Sequence, residues 1–239
     1  MGIKYPSTYK MESYIIKKED KTEKKAPVTN AVKLVGKVIN YYETPSVYIV
    51  SLLIPYSKGT DKFQANFPKI YFFKNDNTGA DKIVLHDHVE IEAHVAAPRK
   101  NRANGDVYYS QAIVGDKIKL SSSVYEKEFG VDGGNIYPAP ENCVFLRGKV
   151  RKVEQVAKGV VNIVMNARNK SYNNVVLVTS FRQDAILNAP GDEIAVYAIV
   201  TTHRKEKNGK AVFYENIVAR KIDNLSKKQA ASVKNEPNK

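Results

Sequence analysis

THRKEKNGKAVFYENIVARKI, residues Thr202 to Ile222, is the second appearance of a pattern the chain has already used. The first is APRKNRANGDVYYSQAIVGDKI, Ala97 to Ile118. Each puts cations before an Asn-Gly pair, two adjacent aromatics after it, and an apolar run at the end. Asn-Gly between extended runs is a strong hairpin signal, because both residues tolerate the positive φ of a tight turn. A solvated turn needs no particular charge, yet Arg204, Lys205, Lys207 and Lys210 stand against a single Glu206. The tips are built for something anionic.

A second match makes the repetition a duplication of the whole unit. KLVGKV (Lys33 to Val38) corresponds to FLRGKV (Phe145 to Val150), so Gly36 matches Gly148, 112 residues later. In the hairpins Gly105 matches Gly209, 104 residues later. The first copy therefore carries eight extra residues between these landmarks, and SKGTDKFQAN (Ser57 to Asn66) reads as the loop that holds most of them.

Within each copy the periodicity is that of strands. Val32 to Tyr41 alternates around Gly36, then come Val47 to Ile54 and its partner VVNIVMNAR (Val160 to Arg168). Short apolar runs follow, KIYFF (Lys69 to Phe73) and NVVLV (Asn174 to Val178). Polar connectors lead to VEIEAHV (Val89 to Val95) and EIAVYAIV (Glu193 to Val200), and FRQDAILN in the second connector suits one or two helical turns. The hairpin and a last strand complete the unit. Isolated glycines in the first strands, Gly36 and Gly148, suggest a bulge or sharp coil where a barrel closes. Five strands with a short helix or loop between the third and fourth is the plan of the OB-fold, a small Greek-key barrel. The expected fold class is all-β: two tandem OB-fold five-stranded barrels, residues 31–120 and 143–225. A basic arm (1–30) precedes them, a Gly/Pro/Ser-rich linker (121–142) joins them, and a disordered basic tail (226–239) follows.

Of 239 residues, 38 are basic and 25 acidic, a formal net charge of +13. The first thirty hold seven Lys against four acids, and residues 226–239 hold four Lys against one. Such a balance points to a polyanionic partner, nucleic acid before membrane. The longest apolar run, Val47 to Pro55, is far short of the roughly 20 residues that span a bilayer. MGIKYPSTYK lacks the apolar core of a secretory signal, and a single Cys143 suits a reducing compartment, so the expected location is cytoplasmic. His86-Asp87-His88 reads as a polar loop rather than a metal site, and Glu154 and Glu193 form no acid–base pair. No phosphate-cradling glycine motif occurs. The expectation is a protein without cofactor or metal, and not an enzyme.

FLRGKV, SYNNVVLVTSF, APGDEIAVYAIV and FYENIVARKIDNL, in that order, resemble the bacterial and phage single-stranded DNA-binding (SSB) family, in the version with two OB domains per chain. The resemblance is fair over 143–225 and loose over 32–120. It implies sequence-tolerant binding and protection of single-stranded DNA in replication or recombination, with bases stacked on aromatics and phosphates met by Lys and Arg. It also implies a homodimer that brings four barrels together. Tyr172 stands where the family keeps its third-strand stacking residue, and Phe67 is its match when Ile70 is aligned with Val175. Tyr48, aligned with Asn162, has the parity of an exposed face. The remaining expected contacts are Arg99, Lys100, Arg102, Tyr108 and Tyr109 in the first hairpin region. In the second copy they are Lys149, Arg151, Arg168, Lys170, Arg204, Lys205, Lys207, Lys210, Phe213 and Tyr214. In each adjacent aromatic pair one ring should point in and one out. The chain departs from the family in three ways. It has no Trp, its 15 Tyr being the available substitutes; it has a Lys-rich arm; and its basic tail KNEPNK replaces the acidic tip that recruits partner enzymes. A phage or plasmid source, with a host-cytoplasm location, would account for these departures. The alternatives are an OB-fold adaptor or assembly module of a replication or conjugation complex, with little DNA binding, or an RNA-binding protein.

Overall fold

The structure is a computed structural model that describes residues 29–56, 64–97, 99–101, 105, 107–109, 111–121, 125–126, 137–138, 141–169, 172–207 and 210–227. For several strand residues next to the gaps only the backbone is described. The first copy contains β1 (Asn30–Glu43), β2 (Val47–Tyr56), β3 (Gln64–Asn66), β4 (Lys69–Phe73), β5 (His88–Ala96), β6 (Arg99–Asn101), β7 (Val107–Tyr109) and β8 (Ala112–Leu120). A two-stranded pairing, β9 (Tyr125–Glu126) with β10 (Tyr137–Pro138), lies within the expected linker. The second copy has β11 (Glu141–Ala157), β12 (Val160–Asn169), β13 (Tyr172–Ser180), β14 (Glu193–Lys207) and β15 (Lys210–Asn224). Short 3₁₀ turns at Ala80–Lys82 and Gln183–Leu187 occupy the connectors after β4 and β13.

Strand pairing closes a ring in each copy. β1 pairs with β2, β2 with β4, β4 in parallel with β8, β8 with β5, and β5 with β1. The second copy repeats every step: β11–β12, β12–β13, β13 parallel to β15, β15–β14, β14–β11. The interior of each ring is filled by alternate residues, as period-2 strands require. Val50, Leu52 and Ile54 on β2 and Ile70 and Phe72 on β4 are fully buried, as are Ile163, Met165, Val176 and Val178 in the second ring.

Gly36 and Gly148 mark where each ring closes. At Gly36 and Lys37, β1 leaves β5 and takes up β2; at Gly148 and Lys149, β11 does the same between β14 and β12. Backbones approach there so closely that a Cβ on Gly148 would lie 1.7 Å from the Asn166 carbonyl oxygen, and one on Gly36 2.7 Å from that of Leu53. The bulges fall just beyond, between Val38 and Asn40 and between Val150 and Lys152.

The two rings are joined through their first strands. β1 and β11 pair antiparallel with Val32 opposite Val144, Ala31 opposite Phe145 and Lys33 opposite Cys143. Because Val32 and Val144 are themselves equivalent, the duplicated units are related by an internal twofold through that pair. The same symmetry appears in the side chains. Asn30 exchanges two hydrogen bonds with the Val95 backbone (2.8 and 2.9 Å), and Asn142 does so with Val200 (2.7 and 2.8 Å). Cys143 is buried in a small second cluster with Ala31, Phe145 and Ala195.

The register corrects one alignment. Ile70 lies between Val50 and Ile113, whereas the residue between Ile163 and Ile217 is Val178, three positions beyond the expected Val175. Phe67 is therefore the counterpart of Val175, and Tyr172, opposite Asn169, is the counterpart of Gln64, opposite Tyr56.

Candidate nucleic-acid interface

The end of the third strand is where the two copies carry matched exposed rings. On β4, Ile70 and Phe72 point inward, which leaves Lys69, Tyr71 and Phe73 outside; Phe73 is 47% exposed. On β13, Val176, Val178 and Ser180 are buried, leaving Leu177 and Thr179 outside, with Phe181 following at 63% exposure. Phe73 and Phe181 are equivalent under the corrected register, and a cation follows each, Lys74 and Arg182. Lys74 pairs with Glu43, and its ammonium sits 4.9 Å from the Tyr48 ring centroid. Arg182 makes two hydrogen bonds to Asp184 (2.7 and 3.1 Å), which hold that carboxyl below its usual range. Both phenylalanines are thus left in water at equivalent sites of the two copies. The sequence did carry a signal for them, an aromatic followed by a cation at the start of each polar connector.

Tyr48 belongs to the other face. It alternates with the buried Val50, Leu52 and Ile54, packs half-buried against the core, and tilts against Tyr41 with ring centroids 5.8 Å apart. Its counterpart is Val161, opposite Gln155 as Tyr48 is opposite Glu43, not Asn162, so the expected exposed parity is corrected.

The β14–β15 ribbon runs well past its ring, with paired residues from Ile194↔Asn224 out to Lys207↔Lys210. One-in, one-out alternation therefore fails for Phe213 and Tyr214: both are exposed, at 40% and 43%, because a two-stranded ribbon has no interior. The register sorts the ribbon's residues by face. Thr202, Glu215, Arg204 and Phe213 share one face; His203, Tyr214 and Lys205 share the other. The first face lies on the first ring. Phe213 meets Phe67 edge-on at 5.8 Å, Thr202 Oγ1 accepts the Phe67 amide (2.9 Å), and the Thr202 amide donates to Asn66 Oδ1 (3.1 Å). Glu215 Oε1 accepts the Lys69 amide. Burial pushes the Glu215 carboxyl above its ordinary range, opposed by that amide, and burial plus Glu215 raises the Tyr71 phenol. On the second face the Lys205 ammonium sits 5.6 Å from the Tyr214 ring centroid and His203 is exposed, while Arg204 is exposed on the first.

Lys149 and Arg151 are exposed on β11, on the opposite parity to buried Val150. Arg102 and Lys170 lie outside the described residues, as do the side chains of Arg99, Lys100, Tyr108, Tyr109, Arg168, Tyr172, Lys207 and Lys210. Backbone register places Arg99 opposite Tyr109, as Arg204 is opposite Phe213. Among the described residues no cluster of three or more His, Cys, Asp or Glu could hold a metal, and no helix is long and apolar enough to cross a membrane. His86 is exposed in a turn, and Asp87 accepts the Val84 amide (2.9 Å).

No family model matches the chain, and no curated protein matches its sequence. Its structure is similar to that of the single-stranded DNA-binding protein from Thermus aquaticus. The wild-type crystal structure gives a TM-score of 0.54 at 12% identity, covering 83% of this chain and 94% of that one. A deletion mutant of the same protein gives 0.55 at 13%, covering 82% and 93%. At such identity the likeness is one of fold. Over most of its length the chain is mostly β and has the fold of a single-stranded DNA-binding protein.

Proposed function

We propose that this protein is a non-catalytic, tandem OB-fold protein that binds single-stranded DNA with little regard to sequence, coating and protecting it during replication or recombination. The observation that carries the reading is the recurrence of exposed rings beside cations at equivalent points of two barrels, Phe73–Lys74 and Phe181–Arg182. A ring in water is an open stacking partner for any base, because every base has a π-face, and each stack contributes roughly 1–3 kcal/mol. Lys and Arg alongside meet the phosphates without reading sequence. Unstacked bases are what such a surface needs, which favours a single strand over a duplex. Among the expected contacts, Phe67, Lys149, Arg151, Arg204, Lys205, Phe213 and Tyr214 suit this role, joined by Lys69, Phe73 and Phe181. Tyr emission should be quenched on adding poly-dT and restored by high salt. An unchanged spectrum, with no retention of the polymer at low salt, would leave the adaptor reading in its place.

A further inference from the structure

The second ring's ribbon lies on the third strand of the first ring, and the residues flanking the first hairpin lie on the third strand of the second. Second-ring residues Thr202, Phe213 and Glu215 touch Asn66, Phe67 and Lys69 of the first ring. The internal twofold repeats this in reverse. The Ala97 amide donates to Asn174 Oδ1 (3.2 Å), Asn174 Nδ2 donates to the Val95 carbonyl (3.2 Å), and the Leu177 amide donates to Gln111 Oε1 (2.9 Å). Lys69 and Leu177 occupy equivalent places on β4 and β13, and Glu215 and Gln111 occupy equivalent places on β15 and beside β8. A polynucleotide lying along β4 past Lys69 and Phe67 thus meets Phe213 and Arg204 next, and these belong to the other barrel.

We infer that the chain carries two composite grooves, each made of the third strand of one barrel and the hairpin of the other, so that neither barrel binds a single strand with its own residues alone. This rests on the single-stranded DNA reading and specifies how that ligand is held. The first groove combines Phe67 and Lys69 with Phe213 and Arg204. The second combines the β13 face around Leu177 with the first hairpin, where Arg99 stands opposite Tyr109 as Arg204 does opposite Phe213. The Phe67–Phe213 contact is the physical join: two rings from different barrels pack edge-on at the crossing.

Site counting tests this in the full chain. An oligothymidylate of about eight residues, within the roughly 4–16 nucleotides that one such barrel covers, should bind twice per chain. In a composite arrangement Lys69→Gln and Arg204→Gln act on the same groove. The double variant then lowers that groove's salt slope by about 1.4, at about 0.7 per phosphate contact, and leaves the other groove as in the parent. Phe67→Ala with Phe213→Ala should likewise weaken one site by about tenfold or more and spare the second. Lys69→Gln keeps the backbone amide that bonds Glu215, so the seam stays intact in the charge pair. If both grooves lose slope by about 0.7 each, or both sites weaken in the Phe double variant, every barrel uses its own hairpin and the inference is overturned. A parent chain that saturates at one octamer also overturns it. A parent chain that binds no octamer at low salt instead removes the single-stranded DNA reading itself.

Discussion

Glu215 accepts a hydrogen bond from the Lys69 amide across the seam between the rings, at the position where the twofold-related seam has Gln111 accepting from the Leu177 amide. The two residues also line one small cavity, together with Val95, Val200, Ile113 and Ile217. A carboxylate thus stands where its mate is a neutral amide of the same shape.

The folded-state pKa of Glu215 is raised, chiefly by burial, so the native state binds this proton more tightly than the unfolded chain does. Stability from this site is full below the ordinary glutamate range and is lost as pH rises through the raised value. Glu215→Gln should therefore melt higher than the parent at pH 7–8, by about 2–4 °C for each kcal/mol of buried charge removed. The gap should close as pH falls towards about 4. Thermal melts of both proteins across pH measure it; a variant that melts lower at neutral pH would show the charge to be compensated.

His86 adopts φ 75° where the second copy uses Gly191 at φ 93°. The turns are otherwise the same: the His86 amide donates to the Val38 carbonyl and the Gly191 amide to that of Val150, both at 2.9 Å. Left-handed backbone costs a residue with a Cβ about 1–2 kcal/mol. His86→Gly should stabilise by about 1 kcal/mol and Gly191→Ala should destabilise by a similar amount, read from urea midpoints at constant m.

Gly148→Ala should cost more than Gly36→Ala, because its added methyl meets a carbonyl oxygen at 1.7 Å rather than 2.7 Å and neither backbone can withdraw without opening the ring. A loss above about 3 kcal/mol at Gly148 is expected, at the upper end of overpacking effects. Equal urea midpoints for the two variants would mean that closure is looser than the strand crossings imply.

Asn142 is 1% exposed and satisfies both the amide and the carbonyl of Val200. Asn142→Ala strands two buried backbone groups and should cost about 1–3 kcal/mol. Asn30→Ala removes the equivalent pair from a part-buried site, where water can substitute, and should cost less. Denaturation of the two variants side by side tests the difference.

The duplication and the strand order were legible because hairpin glycines and ring-closing glycines are fixed by backbone geometry and recur at matched places. The third strand was not. KIYFF and NVVLV are apolar on both faces, so no alternation sets their parity, and the copies were aligned three residues out of step. That slip matched Phe67 to Tyr172. The same lack of parity left open which ring of KIYFF points inward; Phe72 does, and Phe73 does not. Tyr48 was misplaced because its strand was matched one residue out of step, with Asn162 in the place of Val161. Exposure of both Phe213 and Tyr214 depends on how far the ribbon outruns its barrel, a tertiary length that local pattern does not encode. The seam contacts join residues far apart in the chain, Phe67 and Thr202 or Gln111 and Leu177, and only the folded chain brings them together.

The most direct test is equilibrium binding of one labelled oligothymidylate, the matching duplex and the corresponding RNA across a salt series. The single DNA strand should bind tightly at low salt, with log affinity falling linearly with log salt at about 0.7 per phosphate contact, and the duplex distinctly more weakly. No single-strand binding at low salt, or duplex affinity equal to it, would contradict the account.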